Sequence, residues 1–248
     1  MHPKTDIVCL VHNNLSVTKM FAENIIRNTE NYELIFIDNG SNDGVEKFLE
    51  KGQDKWKLIK SKENLGVIKG RNLGATHVSA DYFVNIDNDQ IVGPGWLENL
   101  HNLMLNGYDI VGTEAWRLTP PTGKGMIVTS NGTQMKRDYF PFKHCKHKNE
   151  SFSYIGCGGM LIKREVYNNI GLFDERFSPA YFEDPDFCYR AIKAGYKLGW
   201  LYKNNIVHLE HQTIGSQKLF QKSHQFTQSL KKFQDKWGNF YPELIKMP

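Results

Sequence analysis

Short apolar runs and segments of helical spacing alternate along the first half of the chain. The apolar runs are rich in β-branched residues and are bounded by turn residues, which predicts buried strands. These strands are expected at residues 7–11, 33–38, 56–60 and 82–86, and helices are expected between them at residues 16–27, 45–49 and 65–77. The βαβαβαβ order predicts an α/β fold: a mostly parallel central sheet, flanked by helices and built with right-handed crossovers.

Two of these helices carry more detailed predictions. Ser16 is expected to cap the first helix, because a serine hydroxyl can accept hydrogen bonds from the first-turn amides. The expected inner face of that helix consists of Val17, Met20, Phe21 and Ile25. In the helix over residues 65–77, glycine recurs at every fourth position and predicts a smooth face against the sheet. These glycines are Gly66, Gly70 and Gly74.

The pattern is less regular in the second half of the chain. Strands are expected at residues 109–113, 158–162 and 198–202, and helices at residues 94–105, 164–168 and 185–194. Residues 117–153 are polar and lack a clear element, so they form either an excursion hairpin or a functional lid. A last helical segment covers residues 216–237, and its apolar stripe consists of Leu219, Phe226, Leu230, Phe233 and Trp237.

The simplest organisation is a single α/β domain with a C-terminal helical tail. The domain is expected to span residues 1–212, with one half at residues 1–115 and the other at residues 116–212. The tail is expected to span residues 213–248. Because the tail is amphipathic, it is expected to pack on its own domain. Formation of a homodimer, or peripheral contact with an anionic membrane surface, is the alternative.

Composition and charge exclude several classes of protein. The chain has 248 residues, 40% of them hydrophobic, and a formal net charge of +4 spread along the sequence, which argues against a disordered or nucleic-acid-binding protein. No apolar run approaches the roughly 20 residues that a membrane-spanning helix needs. The N-terminal segment does not resemble a signal peptide, and Cys9 is expected to be a buried free thiol. The expectation is a soluble cytoplasmic protein.

Acidic residues follow two of the predicted parallel strands at their carboxyl ends. Asp38 closes the second strand, and Asp87 and Asp89 follow the fourth. Ligands of open α/β sheets bind at this edge, where several carboxylates repel one another unless a cation offsets their charge. The alternative is that these residues only form turns, and it is most open for Asp38. A DxD sequence at this place suits Mn²⁺ or Mg²⁺ chelated by a diphosphate.

Two common nucleotide-binding motifs are absent from the sequence. No GxxxxGK[ST] segment occurs, which excludes a P-loop. The first strand runs into Val11-His12-Asn13-Asn14 without GxGxxG, which excludes a dinucleotide-binding turn.

Taken in order, several segments resemble a family-2 glycosyltransferase with the GT-A fold. Residues 38–44 (DNGSNDG) resemble its D-N-x-S-x-D-G segment, and residues 64–74 its N-x-G-x-x-x-x-R-N-x-G segment. Asp87-Asn88-Asp89 resembles its DxD, and residues 158–164 and 171–177 its acceptor-side strand and turn. Residues 183–195 resemble its E-D-x-D-x-x-x-R-x-x-x-x-G helix start. The agreement spans about residues 5–212.

The resemblance implies roles for individual residues. The implied contacts to a nucleotide sugar are Val11, Asp38, Asn64, Arg71, Asp87, Asn88, Gly158 and Gly159. Asp89 would hold the metal on the diphosphate, and His208 would be a further metal or phosphate contact. The alternative for His208 is a histidine that merely ends a strand, and His211 is a second candidate for the same role.

The resemblance also implies a catalytic acid pair. Asp184 would be the general base that removes the proton of the acceptor hydroxyl as it attacks the anomeric carbon, and Glu183 would orient the site. From the residues alone, the alternative is that Glu183-Asp184-Pro185 only begins a helix, where acids and proline are favourable.

The function implied is inverting, metal-dependent transfer of a sugar from a nucleoside-diphosphate sugar, with uridine as the expected base. The expected acceptor is a saccharide, a lipid-linked oligosaccharide or a protein, and no nucleic acid is involved. Two alternatives stay open: a sugar-phosphate nucleotidyltransferase, and a catalytically inert protein that binds nucleotide sugar or scaffolds a partner. The former is expected to carry a glycine- and arginine-rich loop after its first strand, where this chain has His12-Asn13-Asn14-Leu15.

Overall fold

Strands and helices alternate through the first half of the chain. The computed structural model describes residues 2–118, 125–129, 151–152, 154–201, 204–209, 219–238 and 245–246. The strands are β1 (Thr5–Val11), β2 (Tyr32–Asn39), β3 (Lys57–Ser61), β4 (Tyr82–Asp87) and β5 (Gln90–Val92). The helices are α1 (Leu15–Asn28), α2 (Val45–Lys51), α3 (Gly66–Ala75) and α4 (Trp96–Leu105). The predicted elements of this half are confirmed, with boundaries moved by a few residues.

The second half contains the remaining elements. The strands are β6 (Ile110–Leu118), β7 (Gly125–Thr129), β8 (Ser151–Phe152), β9 (Met160–Lys163), β10 (Leu198–Leu201), β11 (Ile206–His208) and β12 (Ile245–Lys246). The helices are α5 (Arg164–Ile170), α6 (Glu183–Lys193) and α7 (Leu219–Trp237), and a 3-10 turn covers Glu175–Phe177. The polar segment 117–153 holds β7 and β8 among its described residues, and Gly158-Gly159 precede β9 instead of starting it.

The central sheet is mostly parallel. Strands β3, β2, β1 and β4 are adjacent in that order and parallel. Strand β9 is antiparallel between β4 and β6, and β10 is parallel to β6. The predicted α/β class is therefore confirmed.

The strand register brings the predicted acidic residues to one edge of the sheet. Val11, at the end of β1, lies opposite Asp38 on β2, and Leu10 lies opposite Asp87 on β4. Because all three strands are parallel, their carboxyl ends meet here. The later strand β11 joins the same edge, because it is antiparallel to β5 with His208 opposite Gln90.

Apolar side chains fill both faces of the sheet. Alternation along β1 sends Ile7, Cys9 and Val11 to the face covered by α1, α2 and α4, and Val8 to the opposite face. Among the described residues, Cys9, Cys157 and Cys188 are all free and buried, as expected for Cys9. Within the same ranges, no helix is long and apolar enough to cross a membrane.

Helix α3 packs against the sheet through its glycines. A Cβ atom at Gly74 would lie 2.5 Å from Cγ1 of Val8, and one at Gly70 would lie 2.5 Å from Cδ1 of Leu10. The predicted smooth face is confirmed for these two positions. Gly66 differs: it has φ +78° and faces Pro179, outside the contact with the sheet.

Two details of the α1 prediction are wrong. Asn14, in the left-handed conformation, occupies the N-cap position in place of Ser16, which lies inside the first turn. The chain leaves β1 through two left-handed asparagines, Asn13 and Asn14, so the helix begins earlier than expected. The buried stripe runs through Val17, Phe21 and Ile25, with Thr18 and Ala22 beside it. Met20 therefore lies at the edge of the stripe and is 37% exposed.

Helix α7 packs against the domain with its apolar stripe. Phe233 is fully buried, and Phe226, Leu230 and Trp237 lie against the same apolar cluster as α5 and α6. The side chain of Leu219 lies outside the described part of the chain. The expected packing of the tail on its own domain is thus confirmed, while the boundaries at residues 115 and 212 stay predictions.

Candidate functional site

Three side chains that can ligate a metal converge at the carboxyl edge of the sheet. One ligand atom from each of Asp87, Asp89 and His208 lies within 4.8 Å of the others. Nε2 of His208 is 3.0 Å from Oδ1 of Asp89. The backbone fixes this contact as well, because the amide of Leu209 donates to the carbonyl of Asp89 at 2.8 Å. His211 lies outside the described residues.

The chemistry of this group fits a divalent cation. Two carboxylates and one imidazole offer oxygen and nitrogen atoms to a single point, and hard divalent ions take carboxylates together with phosphate oxygens and water. All three side chains are partly or fully withdrawn from solvent, so an ion here would be weakly screened. Asp87, Asp89 and His208 are therefore the residues that would hold Mn²⁺ or Mg²⁺.

Arg71 connects the metal-ligand group (Asp87, Asp89 and His208) to Glu183, one of the two acids at the start of α6. Its NH2 donates to Oδ1 of Asp87 at 2.8 Å, and its NH1 to Oε1 of Glu183 at 3.5 Å. Burial alone would raise the pKa of Asp87, but the nearby Arg71 and His208 outweigh burial and lower it. Asp87 is accordingly held as a carboxylate.

The acid pair, Glu183 and Asp184, forms the first two residues of α6. Glu183 is buried, and its Oε2 has no hydrogen-bond partner. Asp184 is half-buried; its Oδ2 accepts from the amide of Cys157 at 3.1 Å, while its Oδ1 has no partner. Burial raises the pKa of both carboxyl groups, and each is repelled by neighbouring carboxylates. A raised pKa makes a carboxylate a better proton acceptor.

Gln90, which the sequence analysis did not single out, supports the metal-ligand group together with Gly158. Gln90 is fully buried; its Oε1 accepts from the amide of Asp87 at 3.0 Å, and its Nε2 donates to the carbonyl of Gly158 at 3.4 Å. A Cβ atom at Gly158 would lie 3.1 Å from Oδ2 of Asp87, so this position has little room for a side chain. Gly159 donates its amide to the carbonyl of Asn85 at 2.8 Å.

The turn after β2 is joined to the segment before α3. Oδ1 of Asp38 accepts from the amide of Ser41 at 2.9 Å, so this carboxylate has a turn-forming role. Asn39, which the sequence analysis also missed, donates to Oδ1 of Asn64 at 3.1 Å and accepts from the amide of Leu65 at 2.9 Å. Only a folded turn brings these side chains together, so no periodicity could reveal the contact.

Not every predicted site residue turns toward the metal-ligand group. Asn88 is buried, and its Nδ2 donates to the hydroxyl of Thr18 on α1 at 3.0 Å. The side chain of Val11 lies in the apolar core, and Asn64 is exposed, with its Oδ1 accepting from the amide of Gly66 at 2.8 Å. The structure therefore brings together Arg71, Asp87, Asp89, Glu183, Asp184, Gly158 and His208.

The sequence matches a known family over most of its length. The model of glycosyl transferase family 2 matches residues 6–171, which include α3, Asp87 and Asp89. This chain belongs to that family.

Individual relatives support this membership. An uncharacterized glycosyltransferase of Haemophilus influenzae is 34% identical over 38% of this chain and 30% of its own length. An uncharacterized protein of Sinorhizobium fredii is 23% identical over 95% of this chain and 28% of its own length. The chain thus spans less than a third of the length of these curated relatives.

A solved structure confirms the GT-A fold. The crystal structure of GalNAc-T7 with UDP, GalNAc and Mn²⁺ superposes with a TM-score of 0.71 at 16% sequence identity. The match covers 97% of this chain and 49% of the other. At this identity the likeness concerns the fold.

Proposed function

We propose that the protein is an inverting, metal-dependent glycosyltransferase that moves a sugar from a UDP-sugar to an acceptor hydroxyl. The observation that carries the proposal is that Asp87, Asp89 and His208 form one group, which Arg71 connects to the acid pair at the start of α6. A cation site beside a candidate base is the arrangement that displacement of a nucleoside diphosphate requires.

Asp184 is the proposed general base. It is more exposed than Glu183, and the amide of Cys157 holds its Oδ2 while Oδ1 has no protein partner. Oδ1, which the protein shields from solvent in this structure, has no hydrogen bond to the protein and is the oxygen proposed to take the proton from the acceptor hydroxyl. Glu183 is buried beside Arg71 and orients that guanidinium between the two acidic groups. When bound, a divalent ion would act as a Lewis acid that stabilises the charge on the leaving diphosphate.

Inversion follows from the use of a single base. A base that activates the acceptor on the face opposite the leaving group produces one displacement at the anomeric carbon. Asp38, Asn64 and Arg71 are the proposed contacts to the nucleotide, together with Val11, Asp87, Asn88, Gly158 and Gly159. For Val11 and Asn88, whose side chains point away, the backbone would make the contact.

The UDP donor is supported by the fold neighbour, whose crystal contains UDP and Mn²⁺. The proposed acceptor is a saccharide, a lipid-linked oligosaccharide or a protein, as in the synthesis of surface polysaccharide, glycolipid or glycoprotein. The proposed location is the cytoplasm or the inner face of a membrane.

A thermal-shift panel of nucleotide sugars, each with and without Mn²⁺, tests the donor. We expect the melting temperature to rise with one UDP-sugar and only when metal is present, because the diphosphate and the carboxylates share the ion. UDP-N-acetylgalactosamine is the first member of the panel, and the matching ADP- and GDP-sugars are controls. Equal stabilisation by all nucleotides, or stabilisation without metal, would contradict the proposal.

Asp184→Asn and Asp89→Ala test the residue roles. Loss of the base is expected to lower the rate of sugar transfer by about 10²–10⁴-fold with little change in donor affinity. Asp89→Ala is expected to remove Mn²⁺-dependent donor binding. Asp54→Asn, a substitution of an exposed acid, serves as the matched control. The proposed function fails if both Asp184→Asn and Asp89→Ala transfer sugar at the rate of the unmodified protein.

A further inference from the structure

The two residues before the acid pair hold a backbone conformation that their side chains disfavour. Tyr181 has φ 76° and Phe182 has φ 70°, which is the left-handed region. Residues with a Cβ atom rarely adopt this region, because Cβ crowds the following carbonyl oxygen. Phe182 is the N-cap of α6, so this turn sets the direction in which Glu183 and Asp184 enter the site. Strain of this kind persists only where surrounding contacts hold it.

Helix α7 supplies contacts to this turn. The ring of Phe226 lies 5.6 Å from the ring of Tyr181 and 5.0 Å from that of Phe182. The ring of Phe233 is 5.5 Å from that of Phe182. The hydroxyl of Ser229, which is buried, donates to the carbonyl of Ala180 at 3.1 Å. The turn is therefore held by aromatic packing and by a hydrogen bond from Ser229.

The same helix also contacts the chain just after the acid pair. Nζ of Lys236 lies 2.6 Å from Oδ1 of Asp186 and 2.7 Å from Oδ2 of Asp174, and Nε1 of Trp237 donates to Oδ1 of Asp186 at 2.9 Å. Asp186 is fully buried, so these partners offset a charge that solvent cannot reach. Helix α7 thus contacts both flanks of Glu183-Asp184.

We propose that α7 positions the catalytic acid pair, with Phe226 and Ser229 as its positioning residues. The proposal rests on the function proposed above, in which Asp184 is the base. Phe226 and Ser229 reach the reaction only through the turn at residues 180–182. Asp87 ends β4, Asp89 lies in the turn after that strand, and Arg71 lies on α3. Substitution on α7 should therefore slow the chemical step more than it weakens donor binding, which the turn reaches through the contact of Glu183 with Arg71.

The variants Phe226→Ala and Ser229→Ala test this separation of the chemical step from donor binding. The release of UDP is measured in the presence of Mn²⁺, with the donor that the thermal-shift panel selects. We expect kcat to fall on the order of tenfold for each variant, because most molecules then leave the left-handed conformation. The KM for the donor and the affinity for UDP with Mn²⁺ should stay within about twofold. Unchanged kcat in both variants, or a loss of donor affinity equal to the loss of kcat, would overturn the proposal.

Three controls separate positioning from general destabilisation. Leu103→Ala removes a buried side chain from α4, on the other face of the sheet, and should leave kcat unchanged while the protein is folded. Phe226→Tyr and Ser229→Thr keep the ring and the hydroxyl and should retain kcat. In the Ser229→Ala background, Tyr181→Gly should recover part of kcat, because glycine adopts the left-handed conformation without steric cost. Absence of any recovery would overturn the role assigned to the turn.

Hydrogen exchange distinguishes failure of this proposal from failure of the proposed function. In Ser229→Ala we expect the amides of residues 180–190 to exchange about tenfold faster, while those of residues 82–92 are unchanged. If Asp184→Asn retains sugar transfer, the proposed base is wrong, and the exchange result alone then decides whether α7 holds the turn. Equal exchange in the variant and the unmodified protein would overturn the proposal for α7.

Discussion

Single side chains determine how charge is arranged at the site. Arg71 contacts both Asp87 and Glu183, and with its planar guanidinium it can serve two carboxylates in fixed directions. A lysine at this position would offer a single point of charge and could not span both partners. The same side chain thus offsets the negative charge of a metal ligand and of the acid pair.

His101, a residue far from the site, makes the stability of the protein depend on pH. His101 is buried, its Nε2 lies 2.7 Å from Oγ1 of Thr5, and burial together with the stacked ring of His2 lowers its pKa from 6.5 to about 4. Because the folded state favours the neutral ring, this stability is fully present above pH 6.5 and is lost as the pH falls towards 4.

The expected loss in the free energy of unfolding is about 3 kcal/mol across that pH window. Urea denaturation at several pH values checks it. His101→Gln should flatten the pH dependence, whereas His224→Gln, on the exposed side of α7, should leave it unchanged. An identical pH slope in His101→Gln and the unmodified protein would contradict this account.

At the scale of elements, apolar periodicity predicts what lies in the core and misses what depends on distant contacts. Strands β1, β2 and β4 are predictable because they are continuously apolar and buried on both faces, and the helices because each buries one periodic face. The left-handed turn at Tyr181-Phe182 is not, because aromatic residues ordinarily disfavour positive φ. The contacts that hold it come from α7, far along the sequence. The contact of Asn39 with Asn64 is missed for the same reason.

The close approach of α3 to β1 gives a prediction about packing. Gly74→Ala should lower the free energy of unfolding by about 1–3 kcal/mol, because the added methyl group meets Cγ1 of Val8, a stiff and buried side chain. Gly70→Ala should cost less, because the Leu10 side chain that it meets is only partly buried and can move.

Lys69→Ala, an exposed substitution on the same helix, is the control for helix propensity and should change stability by under about 0.5 kcal/mol. Chemical denaturation compares the three variants. A stabilising effect of Gly74→Ala would mean that propensity outweighs the steric contact.

At the scale of the whole molecule, the site draws on residues that are remote in sequence. His208 and Asp89 are separated by 119 positions, and Arg71 and Glu183 by 112. The resemblance to family-2 enzymes is enough to single out Arg71, Asp89 and Glu183, which lie in recognisable segments, whereas His208 lies outside those segments. Their distances, the placement of Asn88 against Thr18 and the role of Gln90 follow only from the folded sheet.

A bound divalent ion should therefore stabilise the fold as a whole. At a Mn²⁺ concentration of 100 times Kd, the free energy of unfolding is expected to rise by about 2.7 kcal/mol. His208→Gln should weaken this stabilisation, because one of the three ligands is lost, whereas His224→Gln should preserve it. Differential scanning calorimetry over a Mn²⁺ series measures the effect, and equal stabilisation of both variants would contradict the assignment of His208.

The order of these residues along the chain has a consequence for synthesis in the cell. Translation runs from the N-terminus, and early segments begin to fold while later ones are still being made. The residues from Val11 to Asp89 leave the ribosome long before His208 and α7. A nascent chain consequently carries Asp38, Arg71, Asp87 and Asp89 before His208 and α7 have been made. The candidate metal group and the packing around the acid pair are therefore completed only after His208 and α7 have been synthesised.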